Sequence, residues 1–296
     1  MASHDPHGET LSPDTHLRAP RRPLPEGTVD CHAHVFDRFE RYPLAPGRKY
    51  SPPLCTREAW LALHDALGVR YGVQVHGSPY GFDNSITEDF IQAHRDRLIG
   101  IAVVPAEVTA NQIKRLDLAG FRGVRLMDQF PTGATTAMLE PIARAIAPFG
   151  WHVEINIADP AHWVDLAPRL VACGVPVVMD HLGRPRGGAG IDQPGFKAVR
   201  KLLTEHDRFW VKLSSWYRLS ASGPPDLADM RPFAQALVAD RPDRCVWATN
   251  WPHPSLTKFM PNDADLVDQL DGWLPADDAV REAVFAKNAQ RLYRIR

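Results

Sequence analysis

TVDCHAHVF (residues 28–36) is a short run of apolar and β-branched residues, which is typical of a buried β-strand. Seven runs of the same kind follow it along the chain. They are VRYGVQVH (69–76), LIGIAVV (98–104), FRGVRLM (121–127), WHVEINI (151–157), VPVVMDHLG (175–183), RFWVKLSS (208–215) and RCVWATNWPH (244–253). The sequence therefore predicts eight strands.

Segments with helical character lie between these runs. They cover residues 56–68, 84–97, 109–120, 135–150, 159–174, 195–207 and 230–243. Four of them end in a glycine suited to a left-handed helix C-cap, namely Gly68, Gly120, Gly150 and Gly174. Strands that alternate with helices pair in parallel through right-handed crossovers, and eight such units close into a barrel. We therefore predict an α/β fold, a single-domain TIM-like (β/α)8 barrel over residues 27–296, with two final helices within 266–295.

An open, doubly wound sheet is the alternative fold. Its dinucleotide-binding forms carry G-x-G-x-x-G after the first strand, and neither that pattern nor a Walker phosphate loop occurs here. Residues 1–26 are polar, rich in proline and histidine and without apolar periodicity, so they predict an extended or disordered arm. The irregular spacing of its histidines, His4, His7 and His16, argues against a metal site in the arm.

The composition excludes several classes of function. The 296 residues include 34 Lys and Arg against 35 Asp and Glu, which gives a formal net charge of −1 and no basic excess for nucleic acid or anionic membranes. The four cysteines are widely separated, and no apolar run is long enough to cross a bilayer. We expect a cytoplasmic protein that acts on a small molecule, with its oligomeric state left open.

Polar residues at the ends of three predicted strands mark a candidate site. His32 and His34 flank Ala33 at the end of the first run, and residues two apart on a strand project to the same face. His181 ends the sixth run, and Asn250 ends the eighth. The carboxyl ends of barrel strands meet at one face, where active sites are built, so we expect these side chains to converge.

The remaining histidines of the predicted barrel have simpler interpretations. Those in helix-like segments are expected on the solvated surface, namely His64, His94, His162 and His206. His152 opens a strand and is expected to pack in the core. His76 and His253 lie near strand ends, where they could line a pocket.

Four phrases in order resemble the amidohydrolase superfamily, in the branch of the 2-pyrone-4,6-dicarboxylate lactonases and related lactonases such as the 4-sulfomuconolactone hydrolases. The phrases are VDCHAHVFD (29–37), GVRL (123–126), MDHLGRP (179–185) and ATNWPHP (248–254). The resemblance covers about residues 27–293 and implies a distorted (β/α)8 barrel that hydrolyses a lactone ester. It also implies that His32, His34 and His181 polarise the carbonyl group or bind a divalent metal, while an Asp at the end of the eighth strand activates water.

Position 250 departs from the family pattern, because Asn250 stands where the family has Asp. A carboxylate can accept a proton near neutral pH, whereas a carboxamide has no usable basic site. Asn would preserve the shape of the pocket and remove the base. The leading hypothesis is therefore an engineered inactive variant of a lactonase, and a natural pseudoenzyme is the second.

Three arginines predict an anionic substrate. Arg125, Arg184 and Arg218 all fall at the expected barrel mouth, and guanidinium groups bind carboxylates or sulfonates through paired hydrogen bonds. The resemblance implies substrate contacts at these positions, and Tyr50 and Ser78 could add hydrogen bonds.

Two more departures narrow the substrate class. The pyrone-dicarboxylate relatives carry a further Arg within the stretch that reads LMDQFPTG here (126–133), and a Tyr where this chain has Asn156. Fewer cationic contacts favour a lactone with one anionic group, such as a muconolactone or dienelactone from aromatic-compound degradation, sulfonated or not. A neutral sugar lactone also fits, because Asn156, Gln74 and Asp128 could serve its hydroxyl groups.

The cofactor is open between none and one divalent metal, with zinc as the first choice. His32, His34 and His181 could supply the three protein ligands of a catalytic zinc. Leu126, Met127 and Asn156 replace the superfamily's bridging and fifth-strand ligands, which argues against a binuclear site. A metal-dependent aromatic-acid decarboxylase and a non-catalytic ligand binder are the competing functions.

Overall fold

The computed structural model describes residues 10–130 and 132–295. Eight parallel strands form one sheet in the order of the sequence, which makes a nearly closed barrel. The strands are β1 Val29–Ala33, β2 Tyr71–Val75, β3 Leu98–Ala102, β4 Phe121–Met127, β5 His152–Asn156, β6 Val177–Met179, β7 Phe209–Leu213 and β8 Cys245–Trp247. The predicted single-domain (β/α)8 fold and all eight predicted strands are confirmed.

Helices connect the strands and surround them. They are α1 Arg57–Leu67, α2 Ser85–Ala93, α3 Ala110–Ala119, α4 Leu139–Ile146, α5 His162–Ala172, α6 Pro194–Glu205, α7 Arg231–Asp240, α8 Asp263–Trp273, α9 Asp278–Glu282 and α10 Asn288–Tyr293. The four glycines expected at helix ends all have positive φ, from 64° to 111°. Side-chain caps also begin helices, as at Thr109, where a complete capping box with Gln112 starts α3.

Several strands end earlier than the apolar runs from which they were predicted. The run at 175–183 forms a strand only to Met179, and residues His181–Gly183 turn away in a 3-10 segment. His181 and Leu182 have φ of 54° and 59°, which breaks the strand conformation. The polar side chains that follow β6 are therefore carried on a turn above the barrel.

The first and last strands meet without a ladder of hydrogen bonds between their central residues. Above them, the backbone N–H of His34 donates to the Trp251 carbonyl at 2.8 Å, and that of Asn250 donates to the His32 carbonyl at 2.8 Å. Below these bonds, the Asp30 carboxylate accepts from the Thr249 backbone at 2.9 Å. We call this contact between residues 30–34 and 249–251 the β1–β8 junction.

The described part of the N-terminal segment, residues 10–26, contains no helix or strand and lies against the last helices. Arg18 pairs with Asp265 and Asp268 on α8, and Arg22 pairs with Asp278 on α9. The remainder of the predicted arm, with His4 and His7, lies outside the described residues. Within the described ranges, no helix combines the length and the apolar character that crossing a membrane requires.

Candidate active site

A cavity of about 400 Å³ opens at the carboxyl ends of the strands. Nine of the residues singled out from the sequence line it: His34, Tyr50, Ser78, Arg125, Asn156, His181, Arg184, Arg218 and Asn250. Further lining comes from residues that sequence reasoning did not select: Met127, Gln129, Phe130, Pro254 and Ser255. Tyr50 comes from the long loop after β1 and Arg218 from the loop after β7, so both loops cover the mouth.

Two residues expected to contact substrate do not line this cavity. His32 is fully buried below the cavity. Its ring nitrogens face Lys212 and His34. His253 is also fully buried, and its Nδ1 lies 2.7 Å from the phenol oxygen of Tyr217. The structure therefore places both histidines behind the residues that line the cavity.

The hydrogen-bond partners of His32 and His34 determine where their hydrogens lie. Lys212 Nζ is 3.0 Å from Nδ1 of His32, and an ammonium group can only donate, so Nδ1 accepts and Nε2 carries the hydrogen. His34 Nδ1 donates to the Val75 carbonyl at 2.8 Å. Its Nε2 therefore presents a lone pair to Nε2 of His32, 3.2 Å away. The two imidazoles form one donor–acceptor pair.

Burial keeps these imidazoles neutral. It lowers the pKa of His34 to about 3, with a further contribution from the Arg125 charge. Burial also lowers the pKa of His32 and of His181 well below the ordinary value, although Asp180 acts in the opposite direction on both. His181 completes the group, with its ring centroid 4.9 Å from that of His32 and its Nδ1 2.8 Å from Ser214 Oγ.

A buried charge network that sequence reasoning missed lies under the histidines. Lys212 Nζ contacts Glu154 Oε2 at 2.6 Å and Asp180 Oδ1 at 3.3 Å. Arg125 contacts the other oxygen of Asp180 at 3.1 Å. Burial opposes the ionisation of Asp180, but Lys212, His32 and Arg125 together hold its pKa well below the ordinary value. The signal was available, because Lys212 and Glu154 are charged residues inside otherwise apolar strands.

Asn250 belongs to a second chain of side chains. Its Nδ2 donates to the Tyr217 phenol oxygen at 2.9 Å. The chain continues through His253 to Asp263, whose Oδ1 lies 3.3 Å from His253 Nε2. Burial disfavours protonation of His253, yet Tyr217 and Asp263 raise its pKa to about 9. Neither Tyr217 nor Asp263 was selected from the sequence.

The arginines at the mouth are not equivalent. Arg125 is paired with Asp180, so its charge is already balanced. Arg184 has no ion-pair partner among the described residues, and its Nε is buried without a hydrogen bond. Burial and the neighbouring charges of Arg218 and Arg125 lower the pKa of Arg184 to about 10. Among the residues that the structure describes, Arg218 donates hydrogen bonds only to neutral groups, the Pro254 carbonyl and Ser255 Oγ. Arg184 and Arg218 thus form an uncompensated cationic end of the cavity.

Neutral polar groups lie along the rest of the wall. Burial raises the pKa of Tyr50 to about 12, so the phenol keeps its hydrogen and can donate. The Tyr50 ring packs against Phe130, with centroids 5.4 Å apart. Asn156 Oδ1 is buried and has no hydrogen-bond partner, which leaves a free acceptor at this wall.

The expected surface position of His64 is wrong. His64 is fully buried, and its Nε2 lies 3.2 Å from Asp30 Oδ2. It belongs to the inner face of α1, where the buried residues Trp60, Leu63 and Leu67 follow helical spacing. His152 is buried, and His76 is buried with its Nε2 3.1 Å from the Gly81 carbonyl.

The residues present do not fit a divalent metal in this arrangement. Candidate ligand atoms of His32, Asp180 and His181 lie within 4.8 Å of one another. A metal-bound imidazole normally donates its second N–H to an acceptor, but His32 Nδ1 faces the Lys212 ammonium. Its Nε2 therefore carries a hydrogen where a metal would need a lone pair.

The fold and site define a barrel enzyme whose imidazole groups and arginines converge at the carboxyl ends of parallel strands. A family model described as Amidohydrolase matches residues 29–295. The chain belongs to the amidohydrolase family.

Particular relatives agree with this assignment. A 4-sulfomuconolactone hydrolase of Hydrogenophaga intermedia is 34% identical over 288 residues, which cover 96% of this chain and 94% of that protein. A 2-pyrone-4,6-dicarbaxylate hydrolase of Comamonas testosteroni is 35% identical over 287 residues, covering 93% of this chain and 92% of that protein. A ligand-free crystal structure from Agrobacterium tumefaciens superposes with a TM-score of 0.85 at 29% identity, covering 94% of this chain and 99% of that one.

Proposed function

We propose that this protein hydrolyses the ester bond of a small lactone that carries one anionic group. The observation that carries the proposal is the polarity of the cavity: the unpaired Arg184 and Arg218 stand at one end, and His34 and His181 line the same cavity. Such a cavity binds the anionic group of the substrate at one end. The lactone carbonyl group of the same substrate then faces hydrogen-bond donors. The lactone hydrolases among the relatives support this reaction class.

Each group then has a distinct role. Arg184 and Arg218 bind a carboxylate or sulfonate, and Tyr50 and Ser78 donate hydrogen bonds to the substrate. His32, His34 and His181 form the group that polarises the carbonyl: His34 and His181 line the cavity, and the Nε2 hydrogen of His32 holds His34 from behind. Asn250 and Asn156 present amides to the cavity. His253 lies behind Asn250, where it contacts Tyr217, the hydrogen-bond partner of Asn250.

The protein lacks an efficient base for the activation of water. The amide of Asn250 can orient a water molecule but cannot take its proton, so hydrolysis is strongly reduced relative to a chain with Asp at this position. An Asp-to-Asn replacement, engineered or natural, accounts for an intact cavity that lacks its base. The amide's size and tolerance of positive φ, here 61°, explain why the site keeps its shape.

The substrate class follows from the number of free cations. Only two of the three arginines are uncompensated, which favours one anionic group, as in muconolactones, dienelactones or their sulfonated forms. A sugar-acid lactone is the second candidate, because the unpartnered Asn156 Oδ1 is an acceptor for a hydroxyl group. A metal-dependent decarboxylase is disfavoured, since the residues do not fit a metal.

Acid release from a panel of lactones tests the proposal. The panel holds a muconolactone, a sulfonated muconolactone, a dienelactone, 2-pyrone-4,6-dicarboxylate and a sugar-acid lactone, each given to the chain with Asn250 and to its Asn250→Asp variant. We expect the variant to be faster by about 10² or more on a monoanionic lactone. Equal rates in both chains would contradict the role of position 250, and no hydrolysis by either would contradict the function.

A further inference from the structure

Lys212 lies at the centre of the barrel, where no substrate reaches it. It is fully buried on β7, and its ammonium contacts Glu154, Asp180 and His32 at 2.6, 3.3 and 3.0 Å. A buried lysine needs charged partners to remain in place. Its position directly behind a candidate catalytic histidine requires an explanation beyond packing.

The charges around Lys212 balance. Two buried cations, Lys212 and Arg125, face two buried carboxylates, Glu154 and Asp180. The remaining oxygen of Glu154 accepts from the Tyr293 phenol at 3.1 Å. An ammonium group between these carboxylates can donate hydrogen bonds and cannot accept them.

A chain of hydrogen bonds begins at Lys212, and each group in it donates to the next. The ammonium donates to His32 Nδ1, His32 Nε2 donates to His34 Nε2, and His34 Nδ1 donates to the Val75 carbonyl. Every donor in this chain is determined by the group before it. Without Lys212, the hydrogen of His32 could move to Nδ1 and bind Asp180 Oδ1, which lies 3.4 Å away.

We propose that Lys212 is a positioning residue that keeps the hydrogen of His32 on Nε2, where it is donated to His34 Nε2, and that the His32–His34 pair thereby has no free lone pair for a divalent cation and rejects it. The part of this proposal that concerns turnover rests on the proposed lactone hydrolysis. The parts that concern the imidazole hydrogens and cation binding do not.

The test compares a charge-balanced double variant with a single variant. Lys212→Met combined with Glu154→Gln removes one cation and one anion, so the interior stays neutral, while Glu154→Gln alone keeps the lysine, leaves one unbalanced cation and shows the effect of the glutamate change by itself. Nitrogen-15 NMR of the histidine side chains reports which ring nitrogen carries hydrogen, and His32→Gln identifies the His32 signals. Cobalt(II) titration, followed by its visible absorption, reports cation binding.

We expect hydrogen on Nε2 of His32 in the natural chain and in Glu154→Gln, and on Nδ1 in the double variant. The double variant should bind about one cobalt ion per chain, and the other two proteins none. Hydrogen on Nδ1 in the natural chain would overturn the proposal even if the double variant fails to fold. Cobalt bound by the natural chain through His32, or an unchanged His32 in a folded double variant, would also overturn it.

Turnover separates this proposal from the proposed function. If lactone hydrolysis holds, the double variant made in the Asn250→Asp background should lose about 10²-fold in kcat with little change in KM, because His34 loses the hydrogen bond that fixes it in the cavity wall. If no protein in the series hydrolyses a lactone, the proposed function fails, and the NMR and cobalt results still decide the role of Lys212.

Discussion

The side-chain amide of Asn250 donates a hydrogen bond to the phenol oxygen of Tyr217 across 2.9 Å. His253 donates from Nδ1 to the same oxygen across 2.7 Å, because its raised pKa of about 9 keeps both ring nitrogens protonated at neutral pH. A carboxylate at position 250 would instead accept from Tyr217. The residue at position 250 therefore determines whether Tyr217 accepts from it or donates to it, while His253 links Tyr217 to Asp263, whose Oδ1 lies 3.3 Å from His253 Nε2.

This relationship predicts that Tyr217 and residue 250 are energetically coupled. Tyr217→Phe in the natural chain leaves the buried Asn250 amide without its acceptor, and we expect a loss of about 1–3 kcal/mol in the free energy of unfolding. In the Asn250→Asp background, the same substitution removes a donor to the carboxylate, and we expect kcat to fall about tenfold. Urea unfolding and lactone kinetics of the four proteins measure both effects. Identical effects of Tyr217→Phe on stability in the two backgrounds would show that the residues are independent.

The uncompensated arginines should control substrate affinity. Arg184→Gln or Arg218→Gln removes a charge-assisted contact to the anion, and we expect KM to rise about 10- to 100-fold with a smaller change in kcat. Arg186→Gln is the matched control, because Arg186 is exposed and already pairs with Asp159 at 3.0 Å. The measurement is steady-state hydrolysis in the Asn250→Asp background. A KM that rises in Arg186→Gln and stays unchanged in Arg184→Gln and Arg218→Gln would place the anion-binding site elsewhere.

Stability should fall steeply in mild acid. Burial lowers the pKa of His34 to about 3 and of His76 to about 4, and it lowers those of His32 and His181 well below their ordinary value. These groups stay neutral in the folded protein while the unfolded chain takes up protons below its pKa of about 6.5, so their stabilising contribution is present above that pH and is lost as the pH falls. Four such groups together remove about 5 kcal/mol between pH 7.0 and pH 5.5, whereas His253, whose pKa is raised to about 9, adds about 1 kcal/mol over the same range.

Urea unfolding at pH 7.0, 6.0 and 5.5 checks this acid dependence. Replacement of His76, which lies outside the main cavity, should reduce the pH dependence by about a quarter, because each group contributes about 1.4 kcal/mol per pH unit. A free energy of unfolding that stays constant from pH 7.0 to pH 5.5 would mean that these histidines are not held neutral.

Asp30 should be a major determinant of stability. Its carboxylate accepts from Thr249 Oγ1 at 2.7 Å, from Trp60 Nε1 at 3.3 Å and from His64 Nε2 at 3.2 Å, all in buried surroundings. Asp30→Ala leaves these donors unpaired, and we expect a loss of about 3–5 kcal/mol in the free energy of unfolding. The control is Asp65→Ala, since Asp65 is exposed and makes only a 3.4 Å contact with Arg97. Similar losses in both variants by urea unfolding would contradict this role.

The architecture was predictable because local patterns and the fold agree. Each strand is a short β-branched or apolar run, and glycines with positive φ end the helices where the sequence places them. The cavity lining was predictable for the same reason, since strand ends of a parallel barrel share one face. His64 could have been assigned to the core from its spacing with Trp60 and Leu67, but residue type alone suggested the surface.

Other parts of the site depend on contacts that no local pattern contains. Tyr217, His253 and Asp263 lie in the loop after β7, the loop after β8 and helix α8, and their alignment requires the packed structure. The hydrogen positions on His32 likewise depend on Lys212, which comes from another strand. Sequence motifs identified the histidines, whereas their partners determine what these histidines can do.

The β1–β8 junction has a consequence for how the protein is made. Its two sides come from the first and last strands, and the Asn250 N–H bonds the His32 carbonyl directly. A ribosome must therefore release the chain beyond Trp251 before the two halves of the site can meet. Prematurely terminated chains that end within α7 would contain His32, His34, His181 and both uncompensated arginines, yet they could not assemble a working centre.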